Sequence, residues 1–156
     1  MNRITGIVLL ALNLVVLERP ALGQSNCKDA KGTVYEVFIG GDSSGGPLKN
    51  GGWLDGTVLF VYNIPGVYPT PDPNKITFGA TFTLTTNQGQ VKGKAVFLVD
   101  FVTPVGPSIV NIDPAASTGV FAGATGFLFV NTVKATLGPP PNYYLDLVGG
   151  QVCFAR

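Results

Sequence analysis

Apolar and polar side chains alternate with a period of two along most of this chain, and clusters of glycine and proline interrupt the alternation. The cleanest case is 76–85, where Ile76, Phe78, Ala80, Phe82 and Leu84 alternate with Thr77, Gly79, Thr81, Thr83 and Thr85. That is the pattern of a half-buried strand with its aliphatic and aromatic face turned inward. Asn87-Gln88-Gly89 then turns the chain, and 90–102 returns with Val91, Ala95, Phe97, Val99 and Phe101 on one face, so antiparallel hairpins are the local rule. Further strands are read at 33–39, at 53–64 (Leu59, Val61 and Asn63 opposite Phe60 and Tyr62), at 108–113, at 127–134 and at 143–154. Residues 40–52, rich in Gly and Ser, and 65–74, with four prolines, read as loops. No window shows apolar residues at helical spacing. Seven or eight strands in meander order, with no helix to carry a parallel crossover, predict an all-β domain, either a closed barrel or a sandwich.

Residues 117–131 are strand-like but carry Gly119, Gly123 and Gly126, a spacing that predicts a sharp corner feeding a strand of a strongly curved sheet. The pattern Thr118-Gly119-x-Phe121-x-Gly123-x-x-Gly126 resembles a signature shared by the allene oxide cyclase and dirigent proteins. That resemblance implies a small, closed, eight-stranded antiparallel β-barrel, an architecture whose closure also removes exposed sheet edges. It further implies an apolar small molecule held in the lumen, cyclised or guided in its coupling without a cofactor, and a homotrimer formed through the barrel walls. The outward set of 90–102, with Val96, Leu98 and Val102 beside Asp100, is too apolar for a wall left in water and points to a covering subunit on its own account.

At the N-terminus Arg3 precedes an apolar run over 7–17, Pro20 breaks it, and Ala21-Leu22-Gly23 offers small residues for cleavage, which reads as a secretory signal peptide over 1–23. The run is about half the roughly 20 residues a membrane span needs. Residues 24–156 then make one domain. Setting aside Arg3, Arg19 and Glu18, its eight basic and eight acidic side chains cancel, leaving no clustered charge for nucleic acid or for a membrane surface after cleavage. Cys27 and Cys153, the only cysteines, stand near the two ends of this domain and are expected to pair in a secreted or periplasmic setting.

The candidate chemistry is bounded by absences. There is no histidine, so the loop Gly41-Asp42-Ser43-Ser44-Gly45-Gly46-Pro47, which superficially looks like a serine-protease nucleophile box, has no base for a triad. With both cysteines expected to be oxidised, no zinc or redox-metal site is expected, and no strand-to-helix glycine loop supports a nucleotide. Carboxylates and phenols remain. Glu36 shares a face with Val34 and Phe38 and is placed in the lumen, with solvent exposure the alternative. Asp100, within Phe97-Leu98-Val99-Asp100-Phe101-Val102, is a candidate acid whose pKa burial would raise, or else an outward residue near a strand end. Tyr62, Tyr143 and Tyr144 lie at strand ends, where a phenol can serve a ligand or simply pack. Asn63 and Asn131 can supply neutral hydrogen bonds or serve turns and edges. Phe78, Phe82, Phe97 and Phe101 are expected to line a cavity. The resemblance implies a cofactor-free cyclase, isomerase or stereo-directing protein; the alternatives are a lipocalin-like carrier or a structural barrel filled by its own side chains. The first two require a void and the third does not.

Overall fold

The computed structural model describes residues 26–139 and 141–154, and the proposed signal peptide lies outside them. Eight strands, β1 (Asn26–Gly40), β2 (Ser43–Lys49), β3 (Gly56–Pro69), β4 (Lys75–Thr86), β5 (Gly89–Asp100), β6 (Pro107–Ile112), β7 (Thr125–Thr136) and β8 (Tyr143–Phe154), follow one another in order around a closed barrel. Every neighbouring pair is antiparallel, and β8 closes on β1 along a register that sets Cys27 directly opposite Cys153. The two are joined by a disulfide spanning 126 residues.

Two segments read as loops are strand in part, over 43–49 and 65–69. Within 40–52, β2 has no alternation of side-chain size to betray it, because Gly45 and Gly46 sit where the neighbouring backbones leave no room for a Cβ. A Cβ on Gly46 would collide with the Tyr35 carbonyl and stand 3.3 Å from the Glu36 Cα, so a bare backbone is what lets β2 approach β1. Conversely, β3 begins after a 3-10 turn at Gly52–Leu54 and runs on to Pro69 through a register shift between Asn63 and Tyr68. Proline is admissible there because the irregular ladder does not ask for its missing N–H.

The glycine signature makes the predicted corner. Gly119, Gly123 and Gly126 all have positive φ, and Gly119, at 65°, lies so close to the Gln88–Gly89 backbone that a side chain would clash with it. The 3-10 turn Gly119–Phe121 thereby drives Phe121, fully buried, into one end of the barrel, where its ring packs 6.1 Å from Trp53 and 6.0 Å from Phe154. Lys28 caps this plug with its ammonium 5.6 Å over Trp53. Above the plug, Val34, Leu48, Val58, Leu84, Val91, Val110 and Leu128 fill the lumen, with the Phe60 and Phe82 rings packed at a tilt, 5.3 Å between centroids. The core therefore occupies the closed end and the middle. What remains is the end that carries the β1–β2, β3–β4, β5–β6 and β7–β8 connections.

Candidate functional site

The open end holds a cavity of about 480 Å³. One wall is aromatic. Phe78 on β4 and Phe97 on β5, directly paired across the sheet, stack at 5.2 Å with their planes 8° apart. Tyr62 on β3 meets both edge-on, at 5.3 and 5.6 Å, and Phe60 supports Phe97 from below at 5.0 Å. Such mutual edge and face contacts leave each ring little freedom, so the wall is preformed.

The facing wall is acidic. Glu36 on β1 is opposite Tyr144 on β8, and Asp146 two residues further along β8 is opposite Val34, so both carboxyls and the Tyr144 phenol project from one face of the β1–β8 ladder. Glu36 is 5% and Asp146 1% exposed. The Tyr62 hydroxyl donates to Glu36 Oε1 at 3.1 Å, and the buried Ser44 hydroxyl is hydrogen-bonded to the same Tyr62 oxygen. With Tyr62 donating to Glu36, Ser44 must be the donor to Tyr62, and the chain Ser44–Tyr62–Glu36 runs from the β2 wall to the lumen. Neither oxygen of Asp146 has a hydrogen-bond partner among the described residues.

Burial dominates the ionisation of this pair. Loss of solvation, then the charge on Asp146, push Glu36 up to about 8, and loss of solvation also raises Asp146. The pair accordingly holds one proton across the neutral range, with Glu36 the protonated partner and Asp146 the charged one. Tyr62 is raised far above an ordinary phenol, first by burial and then by Glu36, and Tyr144 is raised by the same two causes, so both phenols are donors.

Comparison with protein-family profiles, with curated proteins and with solved structures finds no match to this chain. The site must therefore be read from its own residues.

Of the residues singled out from the sequence, Glu36, Tyr62, Phe78, Phe97 and Tyr144 meet at this cavity, and Phe101 stands at its mouth, 61% exposed. Three expectations need correction. Phe82 faces inward but lies at the level of Phe60, inside the filled core, and does not line the cavity. Asn63 follows the outward parity of Val61 and is exposed on the outer face. Asp100 reaches the cavity rim, but its carboxylate accepts the backbone N–H groups of Val102 at 2.8 Å and Thr103 at 3.2 Å, with Lys75 3.8 Å away. Those N–H bonds hold its carboxyl below the usual range, so it is an ionised turn former rather than a protonated acid. Asn131 also lies outside the cavity lining.

Asp146 and Ser44 were missed. The parity of β8, with Tyr144, Asp146, Val148 and Val152 on one face, was a usable signal for Asp146, because a charge among inward positions is rare without a function. Ser44 carried no such signal, since its segment does not alternate.

Proposed function

We propose that this protein is an exported barrel that binds an apolar small molecule in its upper lumen and acts on it by acid–base chemistry without a cofactor, as a cyclase or isomerase. The observation that carries this reading is a carboxyl group held neutral near physiological pH, hydrogen-bonded through Tyr62 to Ser44, and facing an aromatic cavity. A neutral Glu36 can give its proton to a developing oxyanion, and the carboxylate of Asp146 beside it can hold positive charge on the same ligand. The stacked Phe78–Phe97 wall restricts a flexible substrate to one conformation, the larger share of what such a site contributes. The glycine signature, with its resemblance to allene oxide cyclase and dirigent proteins, supports the same class of function and includes stereo-directed coupling within it. The disulfide suits an exported protein.

The test is mass spectrometry of the native protein purified from its export compartment, to identify a bound small molecule, followed by turnover of that molecule. Glu36→Gln is expected to keep binding and to lower turnover at least about a hundredfold. Binding with no turnover by the wild-type protein makes the barrel a carrier, and an empty lumen that takes up no unsaturated apolar compound makes it structural.

We also propose that the barrel is a homotrimer, as the same resemblance implies. Val96, Ile109 and Phe129 are neighbours across β5, β6 and β7 on the outer wall, at 56, 44 and 40% exposure, with Phe127 and Leu147 beside them. A contiguous apolar patch of this kind on a barrel wall is suited to a second copy. Light scattering is expected to give a trimer mass at micromolar concentration, and Phe129→Glu a smaller species; a wild-type monomer would dismiss the trimer.

A further inference from the structure

Asp146 is an anion without a partner. Its carboxylate is all but inaccessible, yet neither oxygen accepts a hydrogen bond among the described residues. A buried carboxylate in that condition is costly, and folded proteins rarely leave one so without a functional reason, a ligand that completes it among them. The groups around it do not complete it. On β1, Glu36 has at most the single O–H of its protonated form to offer; on β2 and β3, the Ser44 and Tyr62 hydroxyls are committed to each other and to Glu36; on β8, Tyr144 lies one inward position away. Thr132, directly opposite on β7, makes no hydrogen bond to it. No lysine, arginine or histidine is among the described residues lining the cavity, so the lumen carries an uncompensated negative charge.

The remainder of the cavity restricts what can bring the compensating group. Its walls are mostly the rings of Phe38, Phe78, Phe97 and Phe101 with aliphatic side chains between them, and Thr132, Asn142 and the rim carboxylate of Asp100 are the other polar side chains. Aromatic faces beside a buried anion attract an organic cation twice over, by the charge and by the ring quadrupoles. A neutral hydroxyl donates one hydrogen bond and leaves the charge standing. An ammonium group has three donors, enough for both Asp146 oxygens with one to spare. A carboxylate head, as on a fatty acid, is repelled.

Resting on the reading of the upper lumen as a ligand site, we propose that its ligand is a protonated amine on an apolar, ring-bearing body, with the ammonium seated on Asp146 and the body against Phe78 and Phe97. The cation cancels the Asp146 charge beside Glu36, so burial alone holds the Glu36 proton for the reacting end of the molecule, and the lumen with its ligand is neutral.

Three probes of one shape test this: 2-phenylethylamine, 2-phenylethanol and 3-phenylpropanoate, titrated calorimetrically into the disulfide-bonded protein at pH 7. The amine is expected to bind roughly tenfold to a hundredfold tighter than the alcohol, with the carboxylate weakest. Asp146→Asn, nearly isosteric and checked for an unchanged near-ultraviolet dichroism spectrum, is expected to bring amine and alcohol to the same affinity. An alcohol that binds the wild-type protein as tightly as the amine overturns the proposal while leaving the lumen a ligand site, and so does an amine preference that survives in Asp146→Asn. Failure of all three probes to bind removes the ligand site and the amine together. The wild-type series decides the matter even if the variant does not fold.

Discussion

Between pH 8 and pH 4.5 the folded state is expected to gain stability as the solution is acidified, by on the order of 4 to 5 kcal/mol, with Glu36 as the main cause. The carboxyl is raised from an ordinary 4.5 to about 8 in the folded barrel, so across this window the native state holds a proton that the unfolded chain has released. Stability is therefore present in full below about 4.5 and declines as the pH rises through about 8, the opposite of the usual acid denaturation. Asp146, also raised by burial, adds in the same sense. Asp72 and Asp100 act oppositely: backbone N–H groups, of Asn74 for the first and of Val102 for the second, hold both carboxyls below their ordinary range. Their contribution is lost only under more acid conditions, outside the Glu36 window. Urea unfolding at half-unit steps of pH measures the slope, and Glu36→Gln should flatten most of it. A wild-type profile that is level or rises from 4.5 to 8 would mean that Glu36 is not held neutral, and the acid assigned to it would go as well.

Opening the Cys27–Cys153 bridge is expected to cost about 5 kcal/mol, because its 126-residue span constrains nearly the whole described barrel in the unfolded state. For a domain of this size that corresponds to a fall in Tm on the order of 15 to 20 °C. The bridge has a second effect peculiar to this topology. It joins the first strand to the last, the one seam of the meander that no hairpin holds, next to the Trp53–Phe121–Phe154 plug. The double variant Cys27→Ser/Cys153→Ser, compared with the oxidised protein by thermal and urea unfolding at one pH, measures the loss. A change below about 1 kcal/mol would show that strand pairing between β1 and β8 closes the barrel unaided and that the unfolded chain is little constrained by the link.

Much of the architecture was legible because a period of two is a direct record of which face a strand buries. The alternation of 76–85 and 90–102 recovered β4 and β5 and correctly turned Phe78 and Phe97 inward. The same parity offered the inward face for Glu36 on β1, with exposure the alternative, and the cysteine pair was legible from its places near the two ends of the domain. It failed at β2, where Gly45 and Gly46 remove the side chains that would alternate, and at the proline-bearing end of β3, where composition argues for a loop but an irregular ladder tolerates it.

Parity states a face but not a height. Phe82 and Phe78 share an inward face four residues apart, yet one is core and the other cavity wall, because the filled layers end between them. Asp100 belongs to the rim for a related reason: it lies at the very end of β5, where free backbone N–H groups of the following turn claim its carboxylate. Residue order alone carries seven of the eight strands, most inward faces, the cysteine pair and Glu36 as a candidate acid. That Asp146 and Ser44 join Glu36 and Tyr62 at one level of the lumen, and that the lumen is hollow there, is a property of the folded barrel. The reason is physical: cross-strand register in a closed sheet is set by hydrogen bonding around the whole circumference, and no single strand records the level at which its neighbours meet it.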